Sequence, residues 1–196
     1  MCGRFSLRLE PQVIRHELDR YNLPVNEWID QDQFVPRYNI APRSLAPVIR
    51  HSSPKNSSRL GMESLEDSSH QLVMQTMKWG LVPHWSKYED KSLNTINARS
   101  ENLVSGGGMW NSLRGRKRCV VVCQGYYEWL SKGKDKIPHF TKPKSGHLLL
   151  LAGLYDSVEL QDIDQWLDTS SQRWSEDLAQ MVSRAYTKDS SLEWCV

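Results

Sequence analysis

The run Cys119-Val120-Val121-Val122-Cys123 constrains the fold of this chain more than any other segment. It is continuous and rich in β-branched residues, which predicts a strand buried in the centre of a sheet. Packing is therefore a better explanation than chemistry for its two cysteines. Similar short apolar runs, each bounded by Pro, Gly or charged residues, predict further strands at 45–50, 72–82 and 147–155.

Two other segments have the apolar spacing of helices. Residues 11–21 begin with Pro11 and carry apolar side chains at three- and four-residue intervals, which predicts a helix. Residues 162–181 place spaced apolar side chains among acidic ones and predict a second helix. We therefore expect an α+β fold, with a mixed, mainly antiparallel β-sheet core flanked by a few helices.

Length and composition favour one globular domain. A chain of 196 residues can bury a substantial core, and its eight Trp and 39% hydrophobic residues argue against global disorder. The segment at about 51–71 is rich in Ser and has no periodicity, so it is interpreted as a loop insertion. We expect a single domain over residues 1–196.

Several classes of protein and site are disfavoured. No apolar run approaches the roughly 20 residues of a membrane span, and the first residues lack the apolar stretch of a signal peptide. We therefore expect a nuclear or cytoplasmic protein, monomeric and not bound to membranes. The four cysteines form no CxxC pair, and no His stands at zinc spacing, so we expect reduced thiols, no metal and no cofactor.

Charge alone does not establish a nucleic-acid partner. The net charge of +2 is small compared with the basic excess of most nucleic-acid-binding domains. The run Arg114-Gly115-Arg116-Lys117-Arg118 is nevertheless a compact cationic segment. It fits either contacts to phosphates or a solvated loop before a strand.

Cys2 has the most distinctive chemistry in the chain. Its small side chain permits removal of Met1, which would leave an α-amine and a thiol on adjacent carbons. Such groups ordinarily have pKa values of about 7.7–8.0 and 8.5, so both nucleophiles exist near neutral pH. The amine attacks an aldehyde to give a Schiff base, and the neighbouring thiol then closes a five-membered thiazolidine. This pair predicts capture of an aldehyde rather than rapid turnover.

Five short blocks, in this order along the chain, resemble the SRAP (SOS response-associated peptidase) family. They are Met1-Cys2-Gly3-Arg4-Phe5, Pro36-Arg37-Tyr38-Asn39-Ile40-Ala41-Pro42, Lys78-Trp79-Gly80-Leu81-Val82-Pro83-His84-Trp85, Asn97-Ala98-Arg99-Ser100-Glu101 and Gly125-Tyr126-Tyr127-Glu128-Trp129. The resemblance implies that Cys2 is a covalent nucleophile, Asn97 its hydrogen-bonding partner near a sugar, and Glu128 the acid/base carboxylate. The implied target is the aldehyde of an abasic site in single-stranded DNA.

The same resemblance implies a DNA-binding set around Cys2. Arg99 is implied as a phosphate contact and Asn39 as a neighbour of Cys2, while Arg4 and Arg99 both suit bidentate recognition of phosphate. Three tryptophans, Trp79, Trp85 and Trp129, suit stacking on splayed bases or wedging into a junction. Core packing is the alternative for each tryptophan.

One block of the family has no counterpart here. A His-x-Arg-Met-Pro segment is expected after Asp156, but the chain passes within a few residues to 162–168, so an apparent deletion lies near 157–161. His139 and His147 flank a predicted turn and strand start, and neither is expected to replace the missing His. The departure therefore bears on reversal of the adduct and on strand cleavage more than on adduct formation.

Three functions are compatible with these features. The first is an enzyme that forms a DNA-protein crosslink through Cys2. The second is a cysteine-type autopeptidase or amidohydrolase, in which the Cys2 thiolate attacks a carbonyl and its own amine acts as base. The third is a non-covalent reader of single-stranded DNA, with Trp and Arg side chains as its platform.

Overall fold

The computed structural model describes residues 3–52, 71–106, 108–161 and 165–174. Cys2 and most of the predicted insertion at about 51–71 lie outside these residues. Within the described ranges, no helix has both the length and the apolar character needed to cross a membrane.

Strands dominate the described chain, and the predicted α+β class with a sheet core is confirmed. The helices are α1 (Pro11–Asp19), α2 (Ser100–Ser105) and α3 (Trp110–Leu113), with a 3-10 turn at Gln31–Gln33. The strands are β1 (Arg4–Leu7), β2 (Glu27–Ile29), β3 (Arg37–Ile40), β4 (Leu45–His51), β5 (Leu72–Trp79), β6 (Asn97–Arg99), β7 (Arg118–Cys123), β8 (Gly125–Lys132), β9 (Asp135–Thr141), β10 (Leu149–Leu160) and β11 (Gln165–Trp174).

The larger sheet has the order β2-β5-β4-β7-β10-β11-β6, and β5 also pairs with β11. This additional pairing closes β5, β4, β7, β10 and β11 into a ring, which removes open sheet edges from those five strands. The pairs β2–β5, β5–β11 and β6–β11 are parallel and the other pairs are antiparallel. The sheet is therefore mixed and mainly antiparallel, as predicted.

Strand β7 occupies the centre of this sheet, between β4 and β10. Its residues from Cys119 to Cys123 are all buried, which confirms the prediction made from the β-branched run. Burial raises the pKa of the Cys119 thiol far above its ordinary value, so this thiol remains protonated and unreactive. The other three predicted strands correspond to β4, β5 and β10.

A smaller antiparallel sheet has the order β3-β1-β8-β9. It packs on the larger sheet where the ring of Phe5 meets that of Trp79, with centroids 4.9 Å apart. Helix α1 begins at Pro11, as predicted, and buries Ile14 and Leu18 in the same core. One hydrophobic core therefore joins α1 to both sheets.

The predicted helix at 162–181 is wrong over residues 165–174, which form β11; residues 162–164 and 175–181 lie outside the described residues. Strand β11 pairs with β10 from Leu160↔Gln165 to Gly153↔Gln172. The buried Thr169 hydroxyl also accepts a hydrogen bond from the Val82 N–H at 3.0 Å. Apolar spacing over a short segment does not distinguish a helix from a strand, and here the pairing with β10 decides. Residues 157–161, near the apparent deletion, end β10 and begin the turn into β11.

Candidate active site

The small sheet places Glu128 against the start of the chain. Strand β1 pairs with β8 in the register Arg4↔Tyr127 and Phe5↔Tyr126. Continued by one residue, this register sets Gly3 opposite Glu128. The predicted acid/base carboxylate therefore lies across from the residue that follows Cys2 in sequence.

The predicted residues of the small sheet divide between its two faces. Because side chains alternate along a strand, Glu128 shares the core-side face with Phe5 and Tyr126. Arg4 lies on the opposite face, where its guanidinium donates a 3.4 Å hydrogen bond to the Asn39 side-chain oxygen. The structure thus brings Arg4 and Asn39 together, on the face opposite to Glu128.

Asn97 and Arg99 lie on β6, the last strand of the large sheet. They alternate with the fully buried Ala98, and Arg99 is exposed. The preceding residue, Ile96, accepts a 3.0 Å hydrogen bond from the Trp79 indole N–H. Because Trp79 also packs on Phe5, a short chain of contacts joins the strand of Asn97 to β1.

The three candidate tryptophans have different environments. Trp79 is only 1% exposed, so of the two alternatives core packing describes it in this structure. Trp85 is 57% exposed and Trp129 is 40% exposed. These two side chains present accessible aromatic surface, as stacking on a base requires.

Close packing shapes the hairpin that carries Glu128 and Trp129. A Cβ on Gly125 would collide with the Thr141 carbonyl oxygen and would lie 2.7 Å from the Phe140 ring. The Phe140 ring in turn packs on Tyr127, with centroids 4.8 Å apart. Glycine is therefore required at the start of β8 for β9 to approach it.

Sequence reasoning missed a polar cluster centred on Asp156. This buried carboxylate accepts a hydrogen bond from the His84 backbone N–H and lies 3.1 Å from the His84 ring Nδ1. The Lys117 ammonium lies 3.6 Å from its other oxygen. Because 72 residues separate His84 from Asp156, nothing in the local sequence indicated the pair.

The family model for SOS response associated peptidase (SRAP) matches residues 1–162 of this chain. The chain belongs to the SRAP family. The resemblance drawn from the five sequence blocks is thereby confirmed.

Curated relatives of the chain are named abasic site processing proteins. The chain is 33% identical to YMR114C of Saccharomyces cerevisiae over 83% of its length and 45% of that protein. It is 35% identical to HMCES of Gallus gallus over 71% of its length and 41% of that protein. It is also 32% identical to YoqW of Bacillus subtilis, over 80% of its length and 60% of that protein. The chain thus spans less than two thirds of each of these relatives.

Two solved structures have a similar fold at low sequence identity. A protein from Bacteroides thetaiotaomicron matches 97% of this chain and 74% of its own, with a TM-score of 0.63 and 21% identity. A protein from Bordetella bronchiseptica matches 100% of this chain and 82% of its own, with a TM-score of 0.64 and 18% identity. These two matches concern the fold alone.

His139 and His147 were considered as replacements for the missing His of the SRAP family, and they lie in different parts of the fold. His147 lies against α1, where its ring is 3.3 Å from the Glu17 carboxylate and 3.4 Å from the Arg20 guanidinium. His139 lies on β9 directly across from Glu128. Side chains paired in this way share a face of the sheet, so an imidazole lies beside the Glu128 carboxylate. The sequence did not predict the pairing of β8 with β9, and this pairing is what brings His139 to Glu128.

The described residues contain no group of three His, Cys, Asp or Glu side chains arranged to hold a metal ion.

Proposed function

We propose that this chain processes abasic sites in DNA, and that it does so by forming a covalent adduct between Cys2 and the sugar aldehyde in single-stranded DNA. The observation that carries the proposal is the β1–β8 register, which sets the N-terminal strand against Glu128. The names of the curated relatives support abasic DNA as the target.

The chemistry follows from an N-terminal cysteine once Met1 is removed. The α-amine of Cys2 adds to the aldehyde carbon, and the resulting carbinolamine loses water to give an imine. The thiol then adds across the C=N bond, with sulfur bonding to carbon and the proton passing to nitrogen. The product is a thiazolidine, and one water is released overall. Closure of this ring is intramolecular and therefore favoured by proximity.

Glu128 acts as the acid/base group in this proposal. It accepts a proton from the attacking amine and returns a proton to the departing hydroxyl, a role that ordinarily accelerates such steps by about 10²- to 10⁴-fold. Asn97 holds the opened sugar by a hydrogen bond. Glu128 is half-buried on the core-side face, which supports a role at the reacting end of the sugar rather than at a solvated phosphate.

The remaining polar and aromatic side chains hold the DNA strand. Arg4, oriented by Asn39, and the exposed Arg99 bind phosphates, which position the strand without reading its sequence. The exposed rings of Trp85 and Trp129 stack on the bases that flank the abasic site.

The test is incubation with a single-stranded oligonucleotide containing one abasic site, followed by denaturing electrophoresis and intact mass measurement. We expect a heat-stable band whose mass is that of both components less one water. Cys2→Ala should abolish it, whereas Cys119→Ala, which alters a buried thiol, should not. An oligonucleotide whose aldehyde has been reduced to an alcohol should give no band.

Two results would contradict the proposal. One is an unchanged band with Cys2→Ala, because another nucleophile would then form the adduct. The other is DNA binding by the wild-type protein without any heat-stable band, which would favour a non-covalent reader.

A further inference from the structure

Three groups from two separate segments converge on the Asp156 carboxylate, which is only 2% exposed. Its Oδ2 atom lies 3.1 Å from both the backbone nitrogen and the ring Nδ1 of His84. Its Oδ1 atom lies 3.6 Å from Lys117 Nζ. A buried carboxylate that holds an imidazole fixes the orientation of that ring, as a positioning group does at many functional sites.

The other side of the His84 ring is available to a ligand. With Nδ1 held by Asp156, Nε2 is the remaining hydrogen-bonding atom, and the side chain is 54% exposed. The exposed Trp85 ring packs edge-on against the imidazole, with centroids 4.8 Å apart. The imidazole and the indole therefore form one accessible surface.

This surface is next to the cationic run noted in the sequence. Lys117 belongs to that run and is 38% exposed, and its neighbours Arg116 and Arg118 are exposed. Among the described residues, no carboxylate lies within ion-pair distance of either arginine. The surface therefore keeps an excess of positive charge, as contact with phosphate requires.

The fold places this surface on the face of the sheet opposite to Asn97. Asp156 pairs with Thr169 on one side of β11, and Asn97 pairs with Gln172 on the other side. Three residues along β11 and two strand spacings across it separate the backbones of Asp156 and Asn97 by about 14 Å. Because three is an odd number of residues, the two side chains lie on opposite faces of the sheet. A DNA strand bound at Asn97 reaches His84 around the edge strand β6, over a path longer than about four stacked nucleotides at 3.4 Å each.

We propose that His84, held by Asp156 and flanked by Lys117 and Trp85, binds a phosphate of the DNA strand more than about four nucleotides from the abasic site. In this arrangement Nδ1–H donates to Asp156 and Nε2–H donates to the phosphate. Trp85 stacks on the adjacent base. This inference rests on the proposed function for the identity of the ligand.

The experiment measures binding without crosslinking. The probes are fluorescent single-stranded oligonucleotides with a tetrahydrofuran residue, which has no aldehyde, at the abasic position. One series carries eight flanking nucleotides on both sides, and others carry two on one side or on both. Fluorescence anisotropy gives the dissociation constant at several salt concentrations. His84→Ala is compared with His16→Ala, a control histidine exposed on α1.

With eight-nucleotide flanks, we expect His84→Ala to weaken binding about tenfold, as for loss of one charge-assisted hydrogen bond. The slope of log K against log salt should also decrease in magnitude by about 0.7, the change for one phosphate contact on a single strand. With two-nucleotide flanks on both sides, the variant and the wild type should bind equally. His16→Ala should match the wild type throughout.

His84→Gln serves as a second variant, because its side chain can still donate to Asp156 but lacks the outward ring nitrogen. It should show the same dependence on flank length. Equal binding by wild type and both variants on long flanks, or the same weakening on short and long flanks, would overturn the inference. Failure of the proposed function is distinguishable, since it appears as absence of a Cys2-dependent adduct while the effect of flank length persists.

Discussion

Substitution of Trp79 by Phe tests the finding that this side chain belongs to the core and not to the DNA-binding surface. Trp79 is 1% exposed, packs on Phe5, and donates a 3.0 Å hydrogen bond to the Ile96 carbonyl. Phe would remove this donor and leave a gap equivalent to roughly two methylene groups, each worth about 0.8 kcal/mol. With about 1 kcal/mol for the hydrogen bond, we expect the free energy of unfolding to fall by about 2.5 kcal/mol.

Urea denaturation followed by circular dichroism measures this loss, which should correspond to a decrease in Tm of roughly 5–10 °C for a chain of this size. Trp85→Phe is the matched control: Trp85 is 57% exposed, so its unfolding free energy should stay within about 0.5 kcal/mol of wild type. Folded Trp79→Phe should bind single-stranded DNA as the wild type does. Unchanged stability combined with weakened DNA binding would refute the placement of Trp79 in the core.

Glu128→Gln should slow adduct formation by about 10²- to 10⁴-fold in a gel time course without lowering Tm, and an unchanged rate would exclude acid/base catalysis by this residue. Gly125→Ala should lower stability by about 1–3 kcal/mol, because its Cβ would collide with the Thr141 carbonyl; Gly115→Ala, where nothing lies within 4 Å, should be nearly neutral in the same melt. Burial, and secondarily a nearby carboxylate, raises the pKa of Tyr21. Its stabilising contribution is therefore complete below about pH 10 and decreases as pH rises through the folded pKa. Tyr21→Phe should make denaturation midpoints less dependent on pH above 10, and equal pH dependence would contradict this assignment.

The sequence by itself was sufficient for the elements whose signals are local. The β-branched run from Cys119 to Cys123 predicted the central strand, because a strand buried on both faces is apolar along its whole length. Pro11 and the apolar spacing after it predicted α1, because a helix buried along one side is apolar only on that stripe. The five ordered blocks identified the family before any pairing was known. The chemistry of Cys2 also followed from its position directly after Met1, since an adjacent amine and thiol react in the same way whatever the fold.

Only the tertiary structure decided which distant residues meet. Residues 165–174 carry helical spacing yet form β11, because pairing with β10 and β5 satisfies their backbone groups along the strand. The packing of Phe5 buried Trp79, and the β8–β9 register set His139 beside Glu128. The pairing of His84 with Asp156 arose in the same way, across 72 residues. Such contacts depend on strand register and core packing, which are properties of the whole chain, so no local pattern encodes them.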